Sequence, residues 1–165
     1  MSMDLECDPI DLLLEQHQAL SDLFARHQEA LVDRRWAEAG RLLEEYERNL
    51  MRHIRLEEHH LLSRCDTVED ARWPGAVYRA EHRRIEQLLR KAGDRLNRAR
   101  ACEITPAVLI SLLDEERTLK HLVDHHHERE EKALFLELRD TALCEAAGSP
   151  GDLAAGMPTS ISRTQ

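Results

Sequence analysis

The sequence predicts an all-α protein, an up-down-up-down bundle of four helices followed by a flexible C-terminal tail. Three observations predict it. Charged residues make up 33% of the chain and aromatic residues only 4%, so a core must be assembled mainly from Leu, Ile, Val and Ala, a composition that favours helices. Apolar residues recur at helical spacing along four long stretches. Short segments with turn or start signals separate those stretches, which makes neighbours antiparallel.

Asp8-Pro9 reads as the start of the first helix, since proline is tolerated in a first turn. Leu13, Leu20, Phe24 and Leu31 around His17 then carry the helix from about residue 9 to 33. Asp33-Arg34-Arg35 is a short turn. The second helix, from Trp36 to about Ser63, has the heptad-like inward series Leu43, Tyr46, Leu50, His53, Glu57 and His60. Residues Arg64 to Trp73 connect it to a third helix that opens at Pro74 and turns Tyr78, His82, Ile85, Leu89 and Leu96 inward. Thr105-Pro106 repeats the start signal for a fourth helix, reading through Leu113, Leu119, Val123, His126, Glu130, Ala133 and Glu137 to about Ala147. Residues 1–147 therefore form one domain. The tail, 148–165, is rich in Gly, Pro, Ser and Thr, has little to bury, and is expected to be disordered.

A formal charge of −9 argues against nucleic acid or an anionic membrane as partner, because no basic excess is available to neutralise phosphates. Cys7, Cys65, Cys102 and Cys144 are far apart and form no C-x-x-C pair; they read as reduced thiols of a cytoplasmic protein. Leu12-Leu13-Leu14 is too short for a signal peptide, and no segment approaches a membrane span.

The chemistry lies in the inward stripes. His53 and Glu57, and again His126 and Glu130, stand one turn apart on an apolar face. His82 with Glu86 makes a third such step, and His17 a fourth histidine. Burying these carboxylates costs several kcal/mol unless something compensates them, and a metal ion would.

In an antiparallel hairpin, residues at one height are equidistant from the turn. His17 and His53 have their midpoint at residue 35, His53 and His82 between 67 and 68, and His82 and His126 at 104, each inside a connection. Four imidazoles thus fall at one level to within about a turn, or roughly 5 Å. Glu57 and Glu130 flank that tier on one side and Glu86 on the other, as two adjacent metal positions would require. Any one of these histidines alone would read as an ordinary core residue; the shared height is what argues for a site. His60 is expected to line the open end of the bundle, and Tyr78 to be a core tyrosine. His27, His59, His121, His125 and His127 are assigned to solvated flanks, as are Glu128 and Glu131. Imidazole and carboxylate donors without thiolate suit iron, manganese or zinc, and seven donors are too many for a single zinc.

As a set, His17, His53 with Glu57, His82 within Glu81-His82-Arg83-Arg84-Ile85, and His126 with Glu130 before Leu134-Phe135 resemble the hemerythrin-like, or HHE cation-binding, family over about residues 8–137. The resemblance implies a non-haem di-iron centre, with Glu57 and Glu130 bridging two Fe ions that also share an oxo or hydroxo group. His17 and His53 would hold one iron, and His82, Glu86 and His126 the other. Manganese or zinc could substitute. Two departures stand out: Glu86 occupies the position where oxygen carriers of the family have a second helix-3 histidine, and Leu136 replaces the usual proline after Leu-Phe. The second lets helix 4 project and offers a surface for self-association.

The expected function is binding or sensing of O2 or NO at the di-iron centre. The alternative is an enzyme or iron-handling protein, in which the extra carboxylate of Glu86 makes the site harder and favours ferrous oxidation, peroxide removal or iron donation for cluster repair. A third reading is an interaction protein with structural zinc.

Overall fold

The computed structural model describes residues 9–68 and 70–146, with side chains only to residue 140 in the last helix. The expected tail, 148–165, and Cys7 lie outside the described residues. Four helical rods account for nearly all of the rest. Helix α1 is Pro9–Val32. Helix α2 is Trp36–Glu57, carried on by a π turn, Glu58–Leu62, and a last turn, Ser63–Cys65. Helix α3 is Gly75–Arg100. Helix α4 is Pro106–Arg129, continued through a second π turn, Glu130–Leu134, into Phe135–Ala146. No strand occurs among the described residues.

Local chemistry explains the boundaries. Helix α1 ends with Arg35 N–H bonded to Ala30 O at 2.8 Å and Arg34 N–H to Leu31 O at 3.1 Å, the paired closure that needs a left-handed residue between them. Arg34 supplies it at φ 60°. Pro74, at φ −59° and ψ 145°, sits immediately before α3 rather than inside it, since a proline ring pre-sets the extended approach to the first turn. Thr105 caps α4 through its hydroxyl, which accepts from Val108 N–H at 3.4 Å, with Pro106 next in line.

The buried apolar residues form two clusters. The larger includes Leu20, Phe24, Leu31, Leu42, Leu50, Ile85, Leu89, Leu112, Leu119 and Val123. The smaller includes Ile10, Leu13, Leu61, Leu62, Cys65, Tyr78, Leu134, Phe135 and Leu138. On every rod the histidine falls between them: His17 between Leu13 and Leu20, His53 between Leu50 and Leu61, His82 between Tyr78 and Ile85, His126 between Val123 and Leu134. A polar layer therefore crosses the core from rod to rod.

The π turns shift the inward register by one residue. Leu61 and Leu62 are buried where the heptad count had placed His60, which is exposed. Leu138 is buried where the count had placed Glu137, which instead accepts from Arg72 N–H at 3.1 Å. An added residue in one turn rotates everything beyond it by about 100° unless the turn widens, and here it widens. In the first half of α4, Leu112 and Glu116 are buried, while Leu113 packs against the core only partly buried. Cys65 and Cys102 are free thiols, the first buried and the second exposed. No helix among the described residues is long and apolar enough to cross a membrane.

Candidate metal centre

Four imidazoles converge from four rods, each anchored from outside. His17 Nδ1 lies 2.8 Å from Glu131, His53 Nδ1 2.9 Å from the amide oxygen of Gln16, His82 Nδ1 2.9 Å from Glu58, and His126 Nδ1 2.9 Å from Glu81. A carboxylate or amide oxygen only accepts, so each Nδ1 donates. In a neutral ring that leaves the Nε2 lone pair facing inward.

Two carboxylates, both fully buried, meet those nitrogens. Glu57 sets Oε1 2.8 Å from His53 Nε2 and 3.8 Å from His17 Nε2, and its Oε2 3.4 Å from His82 Nε2. Glu130 sets Oε2 3.4 Å from His17 Nε2 and Oε1 3.1 Å from His126 Nε2. Each carboxylate thus gives one oxygen to the His17/His53 side and the other to the His82/His126 side. His82 and His126 approach to 2.9 Å through their own Nε2 atoms.

Short as these distances are, most lack hydrogen-bond alignment. Nε2 of His17 and of His53 and all four carboxylate oxygens of Glu57 and Glu130 are buried without a hydrogen-bond partner. Leaving such groups unsatisfied costs about 1–3 kcal/mol each, more for charged ones. A cation at the focus of the lone pairs removes that cost, so the donor set fits bound metal. The donors fall into two groups: His17, His53, His127 and Glu130, and Glu57, His82, His126 and Glu130, the ligand atoms of each lying within 4.8 Å of one another.

The electrostatics follow from the same crowding of carboxylates and imidazoles. Burial alone would lower His17 and His126, but the crowding carboxylates outweigh it. Glu130, Glu57 and Glu131 raise His17 to about 9, and Glu130, Glu81 and Glu57 raise His126 to about 10. Burial alone would raise Glu57, yet His17, His53 and His82 hold it well below the usual carboxylate range. His127 goes the other way: burial, then repulsion by His17, His53 and His126, push it down to about 2, so it is a neutral ring.

Residues 8–115 match the family model described as the hemerythrin HHE cation-binding domain. The chain belongs to this family. No curated protein and no solved structure matches it. The match holds His17, His53, Glu57 and His82 and stops before the inward end of α4, so the place of His126 and Glu130 in this HHE domain comes from the geometry. It is a metal-binding helical domain, with a buried His/Glu cluster able to hold the ion.

Of the residues singled out from sequence, the HHE domain brings together His17, His53, Glu57, His82, His126 and Glu130. It does not bring Glu86. That side chain is 43% exposed and pairs with Arg90 at 2.9 Å, because Ile85 and Leu89 occupy the inward face of α3 and Glu86 stands off it. Tyr78 is buried in the smaller apolar cluster with its ring edge-on to His126 at 6.3 Å.

Sequence reasoning missed His127, which is 92% buried with its Nε2 unpartnered and its ring stacked on His17 at 3.8 Å. The signal was its four-residue spacing from Val123. Also missed were Gln16, Glu58, Glu81 and Glu131, exterior side chains that fix the ligand rings and carry no stripe signal. Arg129 contacts Glu81 in turn and lies 5.1 Å over the Trp73 ring. His27 was missed for another reason: it continues the α1 stripe through Phe24 and Leu31. It is fully buried at the other end of the bundle, with Nδ1 2.8 Å from Ala39 O and Nε2 2.9 Å from buried Glu116.

Proposed function

We propose that the HHE domain holds two iron ions side by side and binds O2 or NO there, as a carrier, buffer or sensor. The observation that carries this reading is the division of Glu57 and Glu130, each with one oxygen toward the His17/His53 pair and one toward the His82/His126 pair. A single ion would not use both oxygens of both carboxylates in opposite directions. Imidazole and carboxylate donors suit ferrous and ferric iron alike, and bound iron supplies one-electron chemistry toward diatomic gases. The chain's own residues do the rest. Glu57 and Glu130 would link the two ions and hold their separation. Gln16, Glu58, Glu81 and Glu131 keep the imidazole lone pairs aimed. The apolar clusters on either side shield the layer along the bundle axis and so slow loss of the reduced state.

The iron-handling reading drew its support from Glu86 as an additional hard ligand. With Glu86 on the surface and an imidazole in the cluster instead, gas binding is the better-supported reading. The experiment is anaerobic loading with ferrous iron, metal counting, then exposure to O2 and evacuation. Two ions per chain and an optical change that reverses on evacuation are expected. One ion, a metal other than iron retained from the cell, or irreversible oxidation with the first equivalent of O2 would overturn the proposal.

A further inference from the structure

We propose that His127 is a fifth protein donor to the ion held by His17 and His53, so that the coordination position left for an external ligand belongs to the ion held by His82 and His126. This rests on the two-ion reading above and concerns how the two positions differ.

Neighbours on one helix can serve different ions because the helix passes both. His126 and His127 stand four and three residues before Glu130, their ring centroids 5.9 Å apart and the planes tilted by 48°. His126 turns toward His82, with ring centroids at 4.6 Å. His127 turns the other way, stacking on His17 at 3.8 Å and meeting His53 edge-on at 5.5 Å. Its Nε2 is buried, unpartnered and grouped with donor atoms of His17, His53 and Glu130. An imidazole whose buried Nε2 has no hydrogen-bond partner, placed beside two ligand imidazoles, has no structural task there that an apolar side chain would not perform better.

The count then becomes unequal. His17, His53 and His127 with one oxygen each from Glu57 and Glu130 make five donors. His82 and His126 with the remaining two oxygens make four. On α3 the candidate for a fifth donor, Glu86, faces Arg90 at the surface. A groove of about 250 Å³ between α1 and α4, lined by Ser21, Asp124, Glu128 and Glu131, reaches His17 and His127 from outside. With His127 coordinated, the position facing that groove is filled by protein. An external ligand is directed to the ion beside Tyr78 and His126.

The test uses the full chain with two probes, ferrous iron and azide. Wild type should retain two ions; His127→Ala should keep its helical circular dichroism, lose at least about tenfold affinity for one ion and leave the other unchanged. His127→Gly with added imidazole should recover the lost affinity, which a purely packing role would not allow. In the oxidised state, His127→Ala should bind one more azide per chain than wild type, and Glu86→Ala should match wild type throughout. His127→Gln, closer in size, serves if the smaller side chains impair folding, and should show the same unequal loss. Equal binding of both ions by these variants, an equal loss for both without imidazole rescue, or unchanged azide stoichiometry would overturn the proposal. A wild-type chain that binds one ion overturns the two-ion reading itself, and is seen before any variant is made.

Discussion

At the residue scale, the site is a balance between buried carboxylates and the imidazoles around them. Because Glu57 faces both sides of the centre, Glu57→Gln should release both ions, whereas His53→Ala should mainly weaken one; metal analysis after dialysis separates the two outcomes. Proton competition sets a pH dependence for the metal-free protein. His17 and His126 have folded pKa values near 9 and 10, above the unfolded value of about 6.5. Their contribution is fully present below pH 6.5 and is lost as pH rises through 9 to 10. His127, held down at about 2, opposes them only below pH 6.5, where the unfolded chain takes up its proton. Urea unfolding of chelator-treated protein should therefore show stability falling between pH 7 and 10. Metal affinity should rise over the same interval, since the ion must displace those protons. Remote from the centre, Arg34 occupies a left-handed conformation that glycine adopts freely, and Arg34→Gly should raise stability by about 1 kcal/mol in the same assay.

At the element scale, the two π turns explain both what the sequence disclosed and where it misled. Counting residues from the turns located His17, His53, His82 and His126 at one height because α1, α3 and the portions of α2 and α4 leading to the site are regular. Beyond Glu57 and Glu130 the regular count failed, putting His60 and Glu137 inward. Nothing in composition distinguishes a turn holding one residue more. A strict heptad stripe was also too narrow for α4, whose inward face admits His127 beside His126, and too generous on α3, where four-residue spacing from His82 admitted Glu86. His27 and Glu116 were in phase with their stripes, and polarity alone hid them. Because each π turn absorbs an extra residue, deleting the exposed His60 should convert the first to ordinary helix while Leu61, Leu62 and Cys65 stay inward. A melting temperature within a few degrees of wild type is expected. Deleting Arg52, upstream within regular helix, should displace His53 and Glu57 from the core and abolish cooperative melting.

At the scale of the whole molecule, two buried polar assemblies lie at different depths of the bundle. The His27–Glu116 pair, with Gln28 donating to Glu116 at 3.3 Å, ties α1 to α4, and through Ala39 O to the start of α2. Glu116→Leu would leave His27 Nε2 buried without its partner, at a cost of roughly 1–3 kcal/mol, yet should leave iron stoichiometry at its wild-type value. Chemical denaturation and metal counting on one preparation would show whether the two assemblies act independently.

The layer that parts the apolar interior also decides how the molecule comes undone. Leu13, Leu62, Tyr78, Phe135 and Leu138 belong to a cap small enough to depend on whatever bridges it to the larger body beneath. Coordinate bonds from all four rods would rivet that cap in place. Chelation should then let it fray first, with amide protons at Leu61, Leu62 and Leu134 exchanging faster while those at Leu42, Leu89 and Leu112 keep their protection.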